Sequence, residues 1–189
     1  MPEGACDTHV HVFGPSSVFP YAKDAPFVPH DAPKEKLFAM HAALGMHLQV
    51  HFESSLIHEL APWLRKSAVP VVIDHMARVD ASKGLDQPDF RALLELMQDS
   101  RFLVKVSGSE RCTRQAPPYG DAIPYAAKLV AEFGGRTLWG TDWPHPNLNH
   151  VPDDGLLADL LADLLAEIAL TAAQRQTLLV DNPRRFYRF

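Results

Sequence analysis

The chain has 189 residues, 47% of them hydrophobic, enough for one domain with a sizeable buried core and against a disordered chain. Its 23 acidic residues outnumber 18 basic ones for a formal charge of −5, which disfavours nucleic acid as the main partner. The two cysteines, Cys6 and Cys112, build no disulfide framework and point to a reducing compartment. "MPEGACD" has neither the basic start nor the apolar centre of a secretory signal, so a cytoplasmic location is expected.

The first strand-like run is "THVHVF". Successive strand side chains face opposite ways, so His9 and His11 share one face while Val10 and Val12 share the other. Residues 14–33 hold many prolines and no periodicity, and read as a long loop over one end of a sheet. Leu37, Met40 and Leu44 then keep helical spacing, and Gly45 stops that helix. The second strand, "HLQVHFE", carries His51. Leu56, Leu60, Trp63 and Leu64 mark the next helix, and "VPVVIDHM" is a third strand carrying His75. A helix opened by Pro88 presents Phe90, Leu93, Leu94 and Met97. The fourth strand, "FLVKVSG", runs into "SERCTR", which carries Arg111 and Arg114. Ile123, Ala127, Val130 and Phe133 form a helix that ends at Gly134 and Gly135. The fifth strand, "TLWGTDW", ends on Asp142. A leucine stripe follows (Leu156, Leu157, Leu160, Leu161, Leu164, Leu165) and is read as core packing. Asp159, Asp163 and Glu167 interrupt it, which excludes a membrane span. A last helix over residues 171–180 leads into "VDNPRRFYRF".

Strand and helix alternate, so the expected class is α/β with a parallel sheet of about five strands. In such folds the C-terminal strand ends line the active site. Four of the five runs end in, or carry near their ends, a residue fit for metal or acid–base work: His9 and His11, His51, His75 and Asp142. Arg111 and Arg114 follow the remaining strand and fall on the same rim. Singly, each has an ordinary structural explanation. Converging on one mouth, they define a candidate site.

The order of His-x-His, two later histidines and Asp in "GTDWPHP" resembles the amidohydrolase superfamily. Within it, "IDHM", "KVSG", "WGTDWPHPN" and "VDNPRRFYRF" are similar to the branch of 2-pyrone-4,6-dicarboxylate hydrolase and related lactone hydrolases. The resemblance implies a (β/α)8 barrel, hydrolysis of a carboxylated lactone, and Asp142 as acid–base residue. It implies that His9, His11 and His75 polarise the lactone carbonyl and that Arg111 binds a substrate carboxylate; His51 and Arg114 are read as substrate-binding from their place on the rim. That branch carries tyrosine where His51 stands and looks metal-independent. With His51 present, His9, His11, His51 and Asp142 also suit one divalent metal, Zn²⁺ foremost. Both versions remain open at this point.

A complete (β/α)8 barrel takes about 250 residues. By the family's order this chain carries strands one, five, six, seven and eight, and strands two to four have no counterpart. The junction is "HAALGMHLQVHF", so a single domain with an internal deletion near Gly45 is expected. Fewer strands do not close the same barrel, because strand number, tilt and shear are linked. The expectation is an incomplete barrel with exposed sheet edges that favour a homodimer. A metal-dependent decarboxylase of the same superfamily is the enzymatic rival, marked by carbon dioxide release. A catalytically dead relic is the rival of another class, marked by binding without turnover.

Overall fold

The structure is a computed structural model that describes residues 16–18, 20, 23, 30–117, 119–142 and 171–188. Four of the five expected strands lie within them: β1 (Leu48–Val50), β2 (Val71–Ile73), β3 (Phe102–Lys105) and β4 (Thr137–Leu138). The run carrying His9 and His11 and the leucine stripe lie outside the described residues. All pairings are parallel and the spatial order is β1-β2-β3-β4, with Leu48 opposite Val71 and Val71 opposite Phe102. Each crossover therefore returns to the adjacent strand, as in a barrel wall rather than a doubly wound sheet.

The helices are α1 (Lys34–Leu44), α2 (Ile57–Leu64), α3 (Pro88–Leu96), α4 (Ser109–Cys112), α5 (Ile123–Phe133), α6 (Ala172–Gln176) and α7 (Asn182–Tyr187). Gly45, at φ 65, takes the left-handed conformation that closes α1. Pro88 opens α3, and Thr171 caps α6 in a reciprocal box with Gln174. The expected last helix is present, but its winding changes: a π-helical turn (Thr177–Asp181) joins α6 to α7. No helix among the described residues is long and apolar enough to cross a membrane.

Alternation along the strands divides the sheet into two faces. Val71, Ile73, Phe102 and Val104 point outwards and pack with Ile57, Phe90, Leu93, Leu129 and Val130 of α2, α3 and α5. This is the main core. Its buried stripe on α2 is Ile57, Ala61 and Leu64, not the Leu56 and Trp63 of the sequence expectation. Trp63 is exposed and packs instead under the Lys66 ammonium, 4.2 Å from its ring centre. The inner face holds a smaller cluster, Val72, Leu103 and Leu138, against which Phe186 of α7 packs. Asn182, fully buried, donates to the carbonyls of Gly134 (2.6 Å) and Thr137 (2.7 Å) and ties the closing "DNP" segment to the start of β4.

Candidate active site

Above the apolar cluster the inner face turns polar. By strand parity Gln49, Asp74 and Lys105 share this face. Gln49 Nε2 donates to Asp74 Oδ2 at 3.2 Å, and Lys105 Nζ pairs with Asp74 Oδ1 at 2.9 Å. The strands then end, and His51, His75, Ser107, Arg111 and Asp142 follow them within a few residues.

His75 does not reach this rim by alternation, which would put it opposite Asp74. Instead His75, Met76, Ala77 and Arg78 take φ values of 48, 51, 55 and 51, a left-handed turn built without glycine. Such residues cost about 1–2 kcal/mol each, so the turn persists because packing demands it. Met76 and Ala77 are buried in the outer core, and their anchorage swings the imidazole over the strand ends. Cys112 Sγ donates to the His75 carbonyl at 3.6 Å. Burial lifts that thiol to about 12, which removes it as a nucleophile at neutral pH.

Asp142 sits at φ 64, another left-handed position, beyond β4. Its Oδ1 lies 3.3 Å from His75 Nε2. Its Oδ2 accepts from Arg111 Nε at 2.7 Å, and Arg111 Nη2 also pairs with it. Arg111 is almost wholly buried, whereas the Asp142 side chain keeps 16% of its surface open. His51, at the mouth, is exposed and meets the His75 ring edge-on, with centroids 5.1 Å apart. Burial lowers the His75 pKa; Asp142 and Asp74 oppose the shift, while His51 and Arg111 add to it.

A cavity of about 300 Å³ opens at the same end, with Glu53, Arg78, Lys83, Arg111, Thr113 and Arg114 in its wall. Glu53 pairs with Arg78, and Lys83 lies 3.9 Å from Asp80. Arg114 makes no direct ion pair among the described residues.

The structure thus brings His51, His75, Arg111, Arg114 and Asp142 to one end of the sheet. His9 and His11 lie outside the described residues. Sequence reasoning passed over Asp74, Lys105, Ser107 and Gly108, although period-two counting from Leu103 puts Lys105 and Ser107 on the site face. No three metal-binding side chains gather among the described residues. Both Asp142 oxygens already face His75 and Arg111, and a metal there would have to displace a guanidinium. The described donor set does not fit a metal ion.

A singly wound parallel sheet that gathers histidines, arginines and an aspartate at its C-terminal strand ends has the arrangement of a (β/α)-barrel site. The family model described as amidohydrolase matches residues 20–189, and the chain belongs to that family. It is 31% identical to the 2-pyrone-4,6-dicarboxylate hydrolase of Comamonas testosteroni, over 99% of this chain and 91% of the relative. It is 29% identical to the 4-sulfomuconolactone hydrolase of Hydrogenophaga intermedia, over 99% and 89%. Among solved structures, a candidate 2-pyrone-4,6-dicarboxylic acid hydrolase of Pseudomonas putida matches at 30% identity and a TM-score of 0.71, over 82% of this chain and 56% of that one. An amidohydrolase of Burkholderia multivorans solved with bound zinc matches at 22% and a TM-score of 0.64, over 80% and 56%, which shows the fold alone. The chain spans little more than half the length of these solved structures.

Proposed function

We propose that the chain hydrolyses a carboxylate-bearing lactone, with Asp142 as acid–base residue. The observation that carries this reading is the Asp142 carboxylate held between His75 Nε2 and Arg111 at a partly open mouth. Lactone hydrolases among the relatives support the substrate class.

Asp142 accepts a proton as water attacks the lactone carbonyl carbon. His75, neutral through burial, donates from Nε2 to the carbonyl oxygen as negative charge grows there. When the ring carbon–oxygen bond breaks, Asp142 returns the proton to the leaving oxygen, giving a hydroxyl and an open-chain carboxylic acid that loses its remaining water-derived proton to solvent. Arg111 holds Asp142 in place, and Arg114 in the cavity wall meets the substrate's own carboxylate. His51 stands at the mouth, and His9 and His11 are proposed from the sequence to act with His75 on the carbonyl oxygen.

Amidohydrolases are generally metal-dependent, but with His75 and Arg111 facing both oxygens of Asp142 the described residues leave a metal no open carboxylate. No step above needs it. Missing barrel units next to Gly45 are also part of the reading. The alignment to the Comamonas testosteroni enzyme runs over 281 residues, and this chain has 189 to place in it.

The test is turnover of 2-pyrone-4,6-dicarboxylate by purified protein that elutes as one species. Asp142→Asn is expected to lower kcat by about a thousandfold or more while the far-UV spectrum and Tm stay near wild type. Undiminished hydrolysis in that variant would remove Asp142 from its role. Carbon dioxide release with the lactone intact would favour a decarboxylase, and tight binding without turnover a relic.

A further inference from the structure

We infer that Gly108 is a positioning residue that seats His75 over the strand ends, because the space its missing side chain leaves is the space the imidazole occupies. The inference deepens the role given to His75 above and rests on that reading only for its kinetic consequence.

Three glycines among the described residues take a positive φ: Gly45 at 65, Gly84 at 76 and Gly108 at 69. At Gly45 and Gly84 a Cβ would meet nothing within 4 Å, so the left-handed backbone alone accounts for them. Gly108 differs. A Cβ built there would fall 2.6 Å from His75 Nδ1, 2.8 Å from its Cγ and 3.0 Å from its Cβ. Non-bonded heavy atoms settle at about 3.5–4.0 Å, so a side chain at 108 would drive the ring away by roughly 1 Å. Rotating the imidazole does not relieve this, because the crowded atoms include His75 Cβ, which no side-chain torsion moves. That atom is held by the left-handed turn at His75 and by the buried Met76 and Ala77 that follow.

The ring is also enclosed on its other sides. Ser107 Oγ stands 3.1 Å from Nδ1, His51 lies edge-on with centroids 5.1 Å apart, and Nε2 approaches Asp142 Oδ1 at 3.3 Å. A shift of the ring therefore changes its spacing to Asp142. Gly108 also accepts the Arg111 N–H at 2.9 Å where α4 begins, so one residue braces both side chains that face the Asp142 carboxylate. Misplacing a reacting group by about 1 Å costs on the order of a hundredfold in rate.

The experiment compares Gly108→Asn with Gly108→Ala, each made alone and together with His75→Gly, which removes all three crowded atoms. Asparagine tolerates the left-handed backbone far better than alanine, but both carry a Cβ. On 2-pyrone-4,6-dicarboxylate each single variant is expected to lower kcat by about a hundredfold with KM within about threefold. In urea unfolding Gly108→Asn is expected to lower the midpoint when His75 is present and by less than about half as much in the His75→Gly background. Wild-type kcat in Gly108→Asn would overturn the inference, because backbone freedom would then be all that Gly108 supplies. An equal midpoint loss in the two backgrounds would also overturn it, and so would a Gly108→Asn chain that is unfolded in both. The unfolding comparison needs no turnover, so a protein that hydrolyses no lactone still reports on the seating of His75, and failure here and failure of the proposed function remain distinguishable.

Discussion

The two faces of the sheet are built on different physics. The outer face is a continuous apolar layer in which Ile57, Ile73, Phe90, Leu93, Phe102 and Leu129 lose all contact with water. The inner face has three buried apolar residues and Phe186, then Gln49, Asp74 and Lys105, then the histidines and Asp142. Helices cover the outer face, and each βα unit brings its own helix, so that core is indifferent to how many units the chain contains. Among the described residues the inner face is met by α7 through Phe186 rather than covered by a layer of helices. In a barrel it is covered by other strands, so it is the face that feels the number of units. Stability thus belongs mainly to one face and chemistry to the other.

The contrast is easiest to break by deleting one large side chain from each face. Phe90, fully buried and edge-to-face with Tyr125 at 4.8 Å, anchors the outer core. Phe90→Ala is expected to cost about 4 kcal/mol in urea unfolding, and Leu103→Ala on the inner face only about 2 kcal/mol. Equal losses would mean that the inner face is packed as a core in its own right.

The polar layer gives the next largest effect. Lys105→Met leaves the Asp74 carboxylate half-paired, although Gln49 still donates to it. With the Lys105 side chain 21% exposed, a loss of about 2 kcal/mol is expected, below that of a fully buried pair. Adding Asp74→Leu should recover part of it. A double variant no better than Lys105→Met would show that the pair is more than a matched burial.

At the rim the expected effects are kinetic. Arg114→Ala should raise KM for a dicarboxylate lactone about tenfold and for a neutral lactone hardly at all, with unfolding unchanged. Equal shifts for both substrates would remove Arg114 from substrate binding.

The smallest effect is in pH. Burial lowers the His75 pKa in the folded chain below the 6.5 expected when it is unfolded. As pH falls through about 6.5, the unfolded chain takes up a proton that the folded chain refuses, so stability declines on the acid side and is level above it. Between about pH 7.5 and 5.5 this amounts to no more than about 1.4 kcal/mol, and His75→Gln should flatten it. An unchanged slope in that variant would trace the decline to other groups.

Much of this was readable along the chain. The strand runs, the helices they alternate with and the parallel class follow from local periodicity, which needs no knowledge of distant residues. Period-two counting also puts Gln49 with His51, Asp74 with Val72, and Lys105 and Ser107 with Leu103. The α2 stripe was misread because Trp63 satisfies helical spacing as well as Ala61 does, and only the neighbouring α3 decides which side is covered.

What periodicity could not supply is any contact that depends on two strands at once. His75 sits on the wrong side of its strand by counting, and a left-handed turn, paid for by burying Met76 and Ala77, brings it round. Arg111 meets Asp142 across 31 residues of chain and Ser107 meets His75 across 32. Residue types and spacing determined which groups were available for chemistry. The tertiary structure alone decided which nitrogen faces which oxygen, because that depends on backbone strain and packing contributed by several elements together.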